Sequence, residues 1–400
     1  MTRSGTDMHH PPQLPTTHFL DNRIYTEQSI FEEEVDKIFG RIWKFVCHES
    51  EIDQPFDFRT LDFVDLPLLV TRDDDGKVRS FLNACSHRGA KVVRELSGNA
   101  RDFTCPFHLW TYDAKGNCTA VTRDEAYESV GCDKADLGLR EFRTDVHLGM
   151  VFVTLNDDAE DLDAFLGGAL EQVEDVLSAE PLEVYHYNET IVQANWKNWQ
   201  ELDSELYHEY LHVINRRTGM TVPTYFTRNW KFYANGHGTL IGPPLQTDYG
   251  KQPGWKAERD GRVLPGLQPN EYRVVDIWPD TAFVVRDSGF RIDSQVPISA
   301  TETLVQFRAL APKSDTPEQR EARYRDHNQF WGPFGRNVQE DIIACELQRD
   351  GMRGGHLRYS LIAREEEGLT QDEITLRRYY EEWGRRMGRA ASNISAIAAE

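Results

Sequence analysis

Two short segments of the chain each carry one cysteine and one histidine at the close spacing typical of metal ligands. The first reads Cys85-Ser-His87, and the second, seventeen residues further on, reads Cys105-Pro-Phe-His108. In a chain with six cysteines and thirteen histidines, a chance match to this spacing is expected on the order of once in 10,000. Two such pairs on hairpin tips can converge on one metal centre.

Two kinds of metal centre fit this set of ligands. Zinc accepts two thiolates and two imidazoles, but zinc sites commonly pair cysteine with cysteine and histidine with histidine. A [2Fe–2S] cluster with cysteines on one iron and histidines on the other needs one residue of each type from each tip. The mixed pairs therefore favour the iron–sulfur cluster, while zinc stays open at this point.

A second set of candidate ligands lies in one predicted helix. At about 100° per residue, Glu201, Glu205, His208 and His212 fall within a stripe of about 60°, whereas Asp203 points elsewhere. Two imidazoles one turn apart, with a carboxylate from another part of the chain, would form the triad of ligands that binds Fe(II) and leaves positions open for O₂. Taken alone, such a histidine pair is also common on an ordinary helix.

The expected secondary structure places the two sets in different parts of the chain. An amphipathic helix is expected from about Tyr25 to Trp43, followed by short strands and turns from about Val46 to Leu155, with hairpin turns at 73–77 and 113–117. Beyond Asp161, helices and strands are segregated, which favours an α+β layer with an antiparallel sheet. The helices expected there are Asp161–Leu177, Asn195–Ile214, Glu318–Phe330, Asn337–Arg349 and Gln371–Met387, and the strands fall within Phe226–Gly242 and Tyr272–Ala311.

Both sets of residues resemble motifs of the Rieske non-haem iron oxygenases that hydroxylate aromatic rings. The Rieske motif, C-x-H-R-G followed by C-P-[YF]-H-x-W, is matched at Cys85, His87, Arg88, Gly89, Cys105, Pro106, Phe107, His108 and Trp110. The catalytic motif, N-W-K-x-x-x-E followed by [DE]-x-Y-H and a second His, is matched at Asn195, Trp196, Lys197, Glu201, Glu205, Tyr207, His208 and His212. Leu109 stands where the family usually has Gly.

The resemblance implies the cluster ligands and the fold. Cys85, His87, Cys105 and His108 would hold a [2Fe–2S] cluster, and Tyr112 would donate a hydrogen bond towards a ligand sulfur. The chain would be the large (alpha) subunit. Its expected fold is α+β, with an all-β Rieske domain inserted near the N-terminus of a helix-over-antiparallel-sheet (helix-grip, START-like) catalytic domain. The expected parts are an N-terminal segment packing on the catalytic domain (1–43), the Rieske domain (44–158) and the catalytic domain (159–400).

The resemblance also implies the ligands of a mononuclear iron. These would be His208, His212 and Asp341, the last from an acidic late helix in which Glu340 is the alternative carboxylate. Glu205, three residues before His208, would accept the proton of that ligand's outer ring nitrogen. The resemblance implies trimers in which Glu205 bridges a cluster ligand of one chain and the iron ligand of its neighbour, which gives electrons a short route.

The implied reaction is hydroxylation of an aromatic substrate with O₂ and electrons from NAD(P)H through a separate reductase or ferredoxin, in a homotrimer or an α₃β₃ assembly with a small beta subunit. No G-x-G-x-x-G motif follows a strand, so we do not expect this chain to bind NADH. A Rieske electron carrier without oxygenase activity and a structural zinc protein are the alternatives. The residues do not identify the substrate, and the candidates for its pocket are equally what a core would use: Phe226, Phe232, Leu240, Phe283 and Phe290.

Composition limits the partners and the location. A net charge of −21 argues against nucleic acid or an anionic membrane as a partner. No apolar run approaches the roughly 18 residues of a membrane helix, and Met1–Thr17 has no hydrophobic signal core, so we expect a cytoplasmic protein. Six cysteines without a signal peptide fit metal ligation better than disulfides. Those without a partner at ligand spacing are expected to be inert thiols: Cys47, Cys118, Cys132 and Cys345.

Overall fold

The structure is a computed structural model, and it describes residues 10–128, 131–213, 216, 229–242, 262–366 and 372–396. The chain divides into two compact units. Phe39–Leu162 forms the inserted unit, and Met1–Ile38 together with Asp163–Glu400 forms the main unit. In the described residues, no helix is both long and apolar enough to span a membrane.

The N-terminal segment of the main unit begins with strand β1 (Phe19–Asp21) and helices α1 (Arg23–Thr26) and α2 (Gln28–Glu34). A π-helical turn, Val35–Phe39, follows α2. The helix expected over Tyr25–Trp43 is therefore interrupted and shorter. Its last residue instead begins strand β2, in which all six side chains are buried.

The inserted unit is built mainly from β-strands. Its elements are β2 (Trp43–His48), β3 (Asp57–Phe63), β4 (Leu66–Arg72), β5 (Val78–Leu82), β6 (Ser97–Asn99), β7 (Asp102–Thr104), β8 (Thr111–Asp113), β9 (Cys118–Ala120), the short helix α3 (Glu125–Glu128), β10 (Glu141–His147) and β11 (Met150–Thr154). Seven strands form one sheet in the order β2-β11-β10-β5-β4-β3-β6, and β7-β8-β9 form a smaller sheet.

Both predicted hairpin turns of the inserted unit are confirmed, and they use the same local chemistry. The carboxylate of Asp73 accepts hydrogen bonds from the backbone N–H groups two and four residues later, and Asp113 does the same in its own turn. Gly76 and Gly116 each adopt φ near +80°, a conformation that glycine reaches without a Cβ penalty. The two turns follow from local sequence.

The main unit places helices over an antiparallel sheet. Its further elements are α4 (Leu162–Leu166), α5 (Glu174–Leu177), β12 (Leu182–Val192), α6 (Trp196–Ser204), β13 (Asn229–Phe232), β14 (Gly238–Ile241), β15 (Tyr272–Ile277), β16 (Thr281–Arg286), β17 (Gly289–Ser299), β18 (Glu302–Pro312), α7 (Pro317–Asp326), α8 (Arg336–Met352), β19 (Tyr359–Leu361) and α9 (Ile374–Met387). The sheet order is β12-β18-β17-β16-β15-β14-β13, and β19 pairs with β1. The predicted α+β class is confirmed.

Helix α6 is held in place by a buried ionic contact. Glu34 accepts hydrogen bonds from Lys197 Nζ (2.6 Å), Trp196 Nε1 (2.9 Å) and Trp383 Nε1 (2.7 Å). Neither Glu34 nor Lys197 has any exposed side-chain surface. A buried carboxylate is stable only when it is paired and hydrogen-bonded, so this contact fixes α2 and α9 against the start of α6.

Candidate metal centres

The first cysteine–histidine segment forms a tight loop, residues 85–90. The backbone N–H of Gly89 donates to the carbonyl of Cys85 at 2.8 Å, and the N–H of Cys85 donates to the carbonyl of Ala90 at 2.9 Å. Gly89 has φ of +74°, which closes the loop without steric cost. His87 therefore lies at the tip of the loop, near the cysteine that precedes it.

The second segment, residues 105–110, repeats the same backbone pattern. Leu109 N donates to Cys105 O at 3.1 Å, and Cys105 N donates to Trp110 O at 2.8 Å. Leu109 has φ of +62° at the position that corresponds to Gly89. This loop therefore keeps the backbone conformation of the first loop although leucine stands in place of glycine. Leu109 itself lies in the left-handed region.

The two loops place their cysteines in one buried cluster and their histidine rings side by side. Cys85 and Cys105 are both buried, and the rings of His87 and His108 have centroids 4.6 Å apart. His87 Nδ1 is buried and has no hydrogen-bond partner. A buried imidazole nitrogen is normally paired, so its isolation, next to a second imidazole and in a loop with a buried cysteine, fits the donor set of a [2Fe–2S] cluster.

Neighbouring aromatic side chains orient His87. Trp110 stacks on its ring, with centroids 4.8 Å apart and planes 11° from parallel. The hydroxyl of Tyr127 lies 3.3 Å from His87 Nε2, which leaves Nδ1 as the nitrogen that faces the site. The sequence did not identify Tyr127, because it lies outside the motif and reaches the ring only through the fold.

Tyr112 contacts the first cysteine as the resemblance implies. Its hydroxyl lies 3.1 Å from Cys85 Sγ and accepts a hydrogen bond from Ser86 N at 3.1 Å. Burial raises the pKa of Tyr112, so the hydroxyl keeps its proton. A ligand thiolate can only accept, and Tyr112 would therefore donate to the sulfur.

The second set of candidate ligands does not lie on one continuous helix, so that prediction is wrong. Helix α6 ends at Ser204, whose hydroxyl bonds to Gln200 O at 2.9 Å and to the buried carboxylate of Asp276. Glu205 is extended, with φ of −137° and ψ of 151°. A 3₁₀ turn, Tyr207–Tyr210, follows, and a serine that bonds its own helix backbone competes with helix continuation.

The break changes which side chains share the site. Glu201, expected on the ligand face, is buried elsewhere and accepts a hydrogen bond from Tyr25 Oη at 2.5 Å and another from Tyr380. Burial, opposed by these hydrogen bonds, raises the pKa of Glu201 to about 7. Asp203, expected to point away, lines the same cavity as His208 and His212.

The histidines nevertheless meet the predicted carboxylate. Asp341 Oδ1 lies 3.4 Å from His212 Nε2 and 3.8 Å from His208 Nε2, and the three ligand atoms all lie within 4.8 Å of one another. Asp341 is buried, and its Oδ1 has no hydrogen-bond partner. Two imidazole nitrogens and an unpaired buried carboxylate oxygen fit a mononuclear Fe(II) site with open positions.

A carboxylate holds the outer ring nitrogen of each histidine. Glu205 Oε1 lies 2.9 Å from His208 Nδ1, and Glu340 Oε2 lies 3.0 Å from His212 Nδ1. Burial favours the neutral form of Glu340, but hydrogen bonds from His212 and Arg336 outweigh it and lower the pKa of Glu340. Such partners orient metal-binding imidazoles and raise their basicity. Glu340, considered in the sequence only as an alternative ligand, instead supports His212.

The candidate metal ligands border a narrow cavity of ≈ 30 Å³ between α6 and the sheet. Its described apolar lining includes Trp199, Leu202, Leu206, Val274 and Val284, and its charged lining includes Asp203 and Arg291. Of the pocket residues expected from the sequence, Phe226 lies outside the described residues, and the others are not among this lining: Phe232, Leu240, Phe283 and Phe290. Side chains alternate along a strand, so Phe283 faces away from the side that Val284 presents.

Comparisons with known proteins agree with this geometry. A family model described as the Rieske [2Fe-2S] domain matches residues 42–133, and one described as the ring hydroxylating alpha subunit (catalytic domain) matches residues 176–389. The chain is 47% identical to 2-aminobenzenesulfonate 2,3-dioxygenase subunit alpha of Alcaligenes sp, covering 98% of this chain and 100% of that one. It is 38% identical to methanesulfonate monooxygenase hydroxylase subunit alpha of Methylosulfonomonas methylovora, covering 100% and 99%.

The fold also agrees with a solved structure. Naphthalene 1,2-dioxygenase from Rhodococcus sp. bound to indole superposes with a TM-score of 0.79 at 21% identity, covering 94% of each chain. The match to the catalytic domain excludes the two alternatives drawn from the sequence, an electron carrier without oxygenase activity and a structural zinc protein. This chain therefore belongs to the ring-hydroxylating Rieske oxygenases, as an alpha subunit that combines a [2Fe–2S] domain with a mononuclear-iron catalytic domain and uses O₂, a substrate and a separate electron donor.

Proposed function

We propose that this oxygenase hydroxylates a small aromatic sulfonate. The observation that carries the proposal is the convergence of His208, His212 and Asp341 beside a cavity with an apolar wall. The relatives that match over nearly the whole chain support the substrate class, because the two reported above are named for a sulfonate, and the one with higher identity for an aromatic one.

The roles of the residues follow from their contacts. Cys85, Cys105, His87 and His108 would hold the cluster, which supplies single electrons when bound. His208, His212 and Asp341 would hold the iron, which supplies O₂ activation when bound. Members of both sets are buried. The imidazole rings are oriented by Trp110, Tyr127, Glu205 and Glu340, and Tyr112 contacts the sulfur of Cys85.

Glu205 has a second proposed role, between subunits. Within the chain, its two oxygens accept from His208 Nδ1 and from the backbone N–H groups of Tyr207 and His208. Its side chain keeps 12% of its surface exposed. We propose that in a trimer, with or without a small beta subunit, this carboxylate also receives a hydrogen bond from His108 of a neighbouring chain. Electrons from a reductase or ferredoxin would then pass from cluster to iron by a short route.

A cytoplasmic location is part of the same proposal. None of the six cysteines is in a disulfide, and five of them are buried. Ligand thiolates and reduced cysteines of this kind persist in a reducing compartment.

The test is oxygenation of 2-aminobenzenesulfonate by the iron-loaded protein with a matched reductase and NADH. We expect one or two oxygen atoms from ¹⁸O₂ to appear in the ring product, detected by mass spectrometry. A preparation that holds both metal centres and oxidises other arenes, but not this sulfonate, would contradict the substrate class. A preparation that oxidises no arene at all would contradict the proposed reaction.

A further inference from the structure

A buried guanidinium lines the same cavity as the predicted iron ligands. Arg291 lies on β17, where its cross-strand neighbour on β16 is Val284, which in turn faces Val274 on β15. All three side chains line the cavity. The sheet therefore presents one cationic group at the end of a row of valines, on the side of the sheet that faces α6.

Burial of that cation calls for an explanation. Arg291 is only 7% exposed, and removing a guanidinium from water is costly unless charged partners repay it. Asp293 Oδ2 lies 2.7 Å from Arg291 Nη2, and Asp203 Oδ1 lies 3.7 Å from it. An ion pair of this kind rarely stabilises a fold more than apolar residues of the same volume would, so stability alone is a weak reason for it.

The charges around Arg291 leave it able to attract an anion. Burial and the proximity of Asp293 raise the pKa of Asp203 well above its ordinary value, and burial raises the pKa of Asp293 to about 6. Both shifts favour the neutral acid, so Asp203 and Asp293 offset the charge of the guanidinium less than two ordinary carboxylates would. A guanidinium carries five N–H donors in a planar fork, and this geometry suits an oxyanion.

We propose that Arg291 binds the anionic group of the substrate, a sulfonate or carboxylate on an aromatic ring, with Asp203 as its polar neighbour and Val274 and Val284 against the ring. This inference rests on the proposed function. It identifies Arg291 as the residue that selects anionic arenes over neutral ones. A planar fork suits oxyanions with two or more oxygens, so both a sulfonate and a carboxylate fit.

The test compares benzenesulfonate with benzenesulfonamide, which has a similar shape but no charge at neutral pH. Both calorimetric binding to the iron-loaded enzyme and kcat/KM are measured for the wild type, Arg291→Gln and Arg291→Lys. We expect Arg291→Gln to weaken benzenesulfonate binding by roughly 10- to 100-fold, the usual cost of losing a charged hydrogen bond, with little change for benzenesulfonamide. Arg291→Lys keeps the charge and should lie between the wild type and Arg291→Gln.

Arg308→Gln is the matched control. Arg308 is fully buried on the adjacent strand β18, and it pairs with Ile292, so it lies on the opposite side of the sheet from Arg291. Losing it should reduce binding of both compounds by the same factor. Benzoate in place of benzenesulfonate distinguishes the two oxyanions, and a preference for either over its amide supports the proposal.

Each result decides the proposal. An equal loss for both compounds in Arg291→Gln, or an unchanged preference, would overturn it. If Arg291→Gln does not fold, a wild type that binds benzenesulfonate no more tightly than benzenesulfonamide would overturn it as well. Binding of benzenesulfonate that depends on Arg291, without any oxygenation, would support the anion site and contradict the proposed function. Equal oxygenation of benzenesulfonate and benzenesulfonamide would support the proposed function and contradict the anion site.

Discussion

The two metal sites of this chain are built in different ways. The proposed cluster ligands lie on two loops whose backbones repeat one hydrogen-bond pattern, each closed between its cysteine and the residues four and five positions later. The mononuclear site instead takes His208 and His212 from a turn after a broken helix, and Asp341 from the distant helix α8. The first site depends on local turns, and the second on long-range packing.

This difference determines how each site responds to change. In a local loop, the backbone holds a ligand side chain even when a neighbouring residue departs from the usual type, as Leu109 shows. At the mononuclear site, the position of the histidines depends on where α6 ends. That end is set by the contact of Ser204 with Asp276 on β15 and by the burial of Lys197 against Glu34. Substitutions should therefore separate the two sites cleanly.

The largest effect is expected for Asp341→Ala. Removing one of three protein ligands leaves two imidazoles, so the chain should lose about one iron atom and oxygenation should fall by roughly three orders of magnitude or more. The absorption and reduced-state EPR spectra of the cluster should be unchanged, because its ligands belong to the inserted unit. If Asp341→Ala keeps its iron and oxygenates at the normal rate, Asp341 is not the ligand, and Glu340 takes its place in the proposal.

Cys85→Ser should have the complementary effect. A hydroxyl is a poor ligand for cluster iron, so the visible absorption of the cluster should disappear while mononuclear iron stays bound. Cys118→Ser is the control, because Cys118 is a buried free thiol that packs in the same core as Cys85. If the cluster spectrum survives in Cys85→Ser, or disappears equally in both variants, the ligand assignment is wrong.

Glu205→Gln should affect the transfer of electrons between the sites and leave both sites loaded. The amide oxygen can still accept from His208 Nδ1, but the negative charge and one acceptor are lost. Outer carboxylates of metal-bound histidines are typically worth 10- to 100-fold in affinity or activity, and we expect a decrease of about 100-fold. Single-turnover oxidation of a pre-reduced cluster, with substrate and O₂, measures it, and an unchanged rate would rule out the bridge between subunits.

Glu340→Gln should have a smaller effect, confined to the mononuclear site. Its hydrogen bond to His212 Nδ1 orients that ring, so the substitution should weaken iron binding by about 10-fold, as measured by competition with a chelator. Glu346→Gln on the same helix is the control, because its described contact is the backbone N–H of Gln193. Equal iron loss in both variants would indicate a general weakening of α8 and no specific role for Glu340.

The same contrast explains how much the sequence predicted. The hairpins at Asp73 and Asp113 and the spacing of the predicted cluster ligands are local features of the sequence, and the structure places His87 and His108 side by side. The helix break at Ser204 could not be read from helical periodicity, because its partner Asp276 lies on β15, far away along the chain. For that reason the predicted sides of Asp203 and Glu201 are wrong. The prediction of Asp341 as a ligand rests on the family resemblance, because spacing alone does not point to it.

Leu109→Gly is the smallest change, and it tests whether the cluster loops are as locally determined as their geometry indicates. Leu109 adopts φ of +62°, which costs a residue with a Cβ roughly 1–2 kcal/mol. Glycine removes this strain but adds about 0.5–1 kcal/mol of backbone entropy to the unfolded chain. The difference predicts that the variant gains about 0.5–1 kcal/mol in free energy of unfolding, measured by denaturant titration with the cluster spectrum as a check.

Leu96→Gly provides the comparison that isolates the backbone term. Leu96 lies in the same unit and is 71% exposed, against 60% for Leu109, but it is not among the residues with positive φ. It should lose about 0.5–1 kcal/mol, because glycine there brings only the entropy cost. Opposite signs for the two variants would show that the loop conformation is imposed on Leu109 by the closure from Cys105 to Trp110. Equal losses would mean that the leucine side chain, and not the backbone, stabilises this loop.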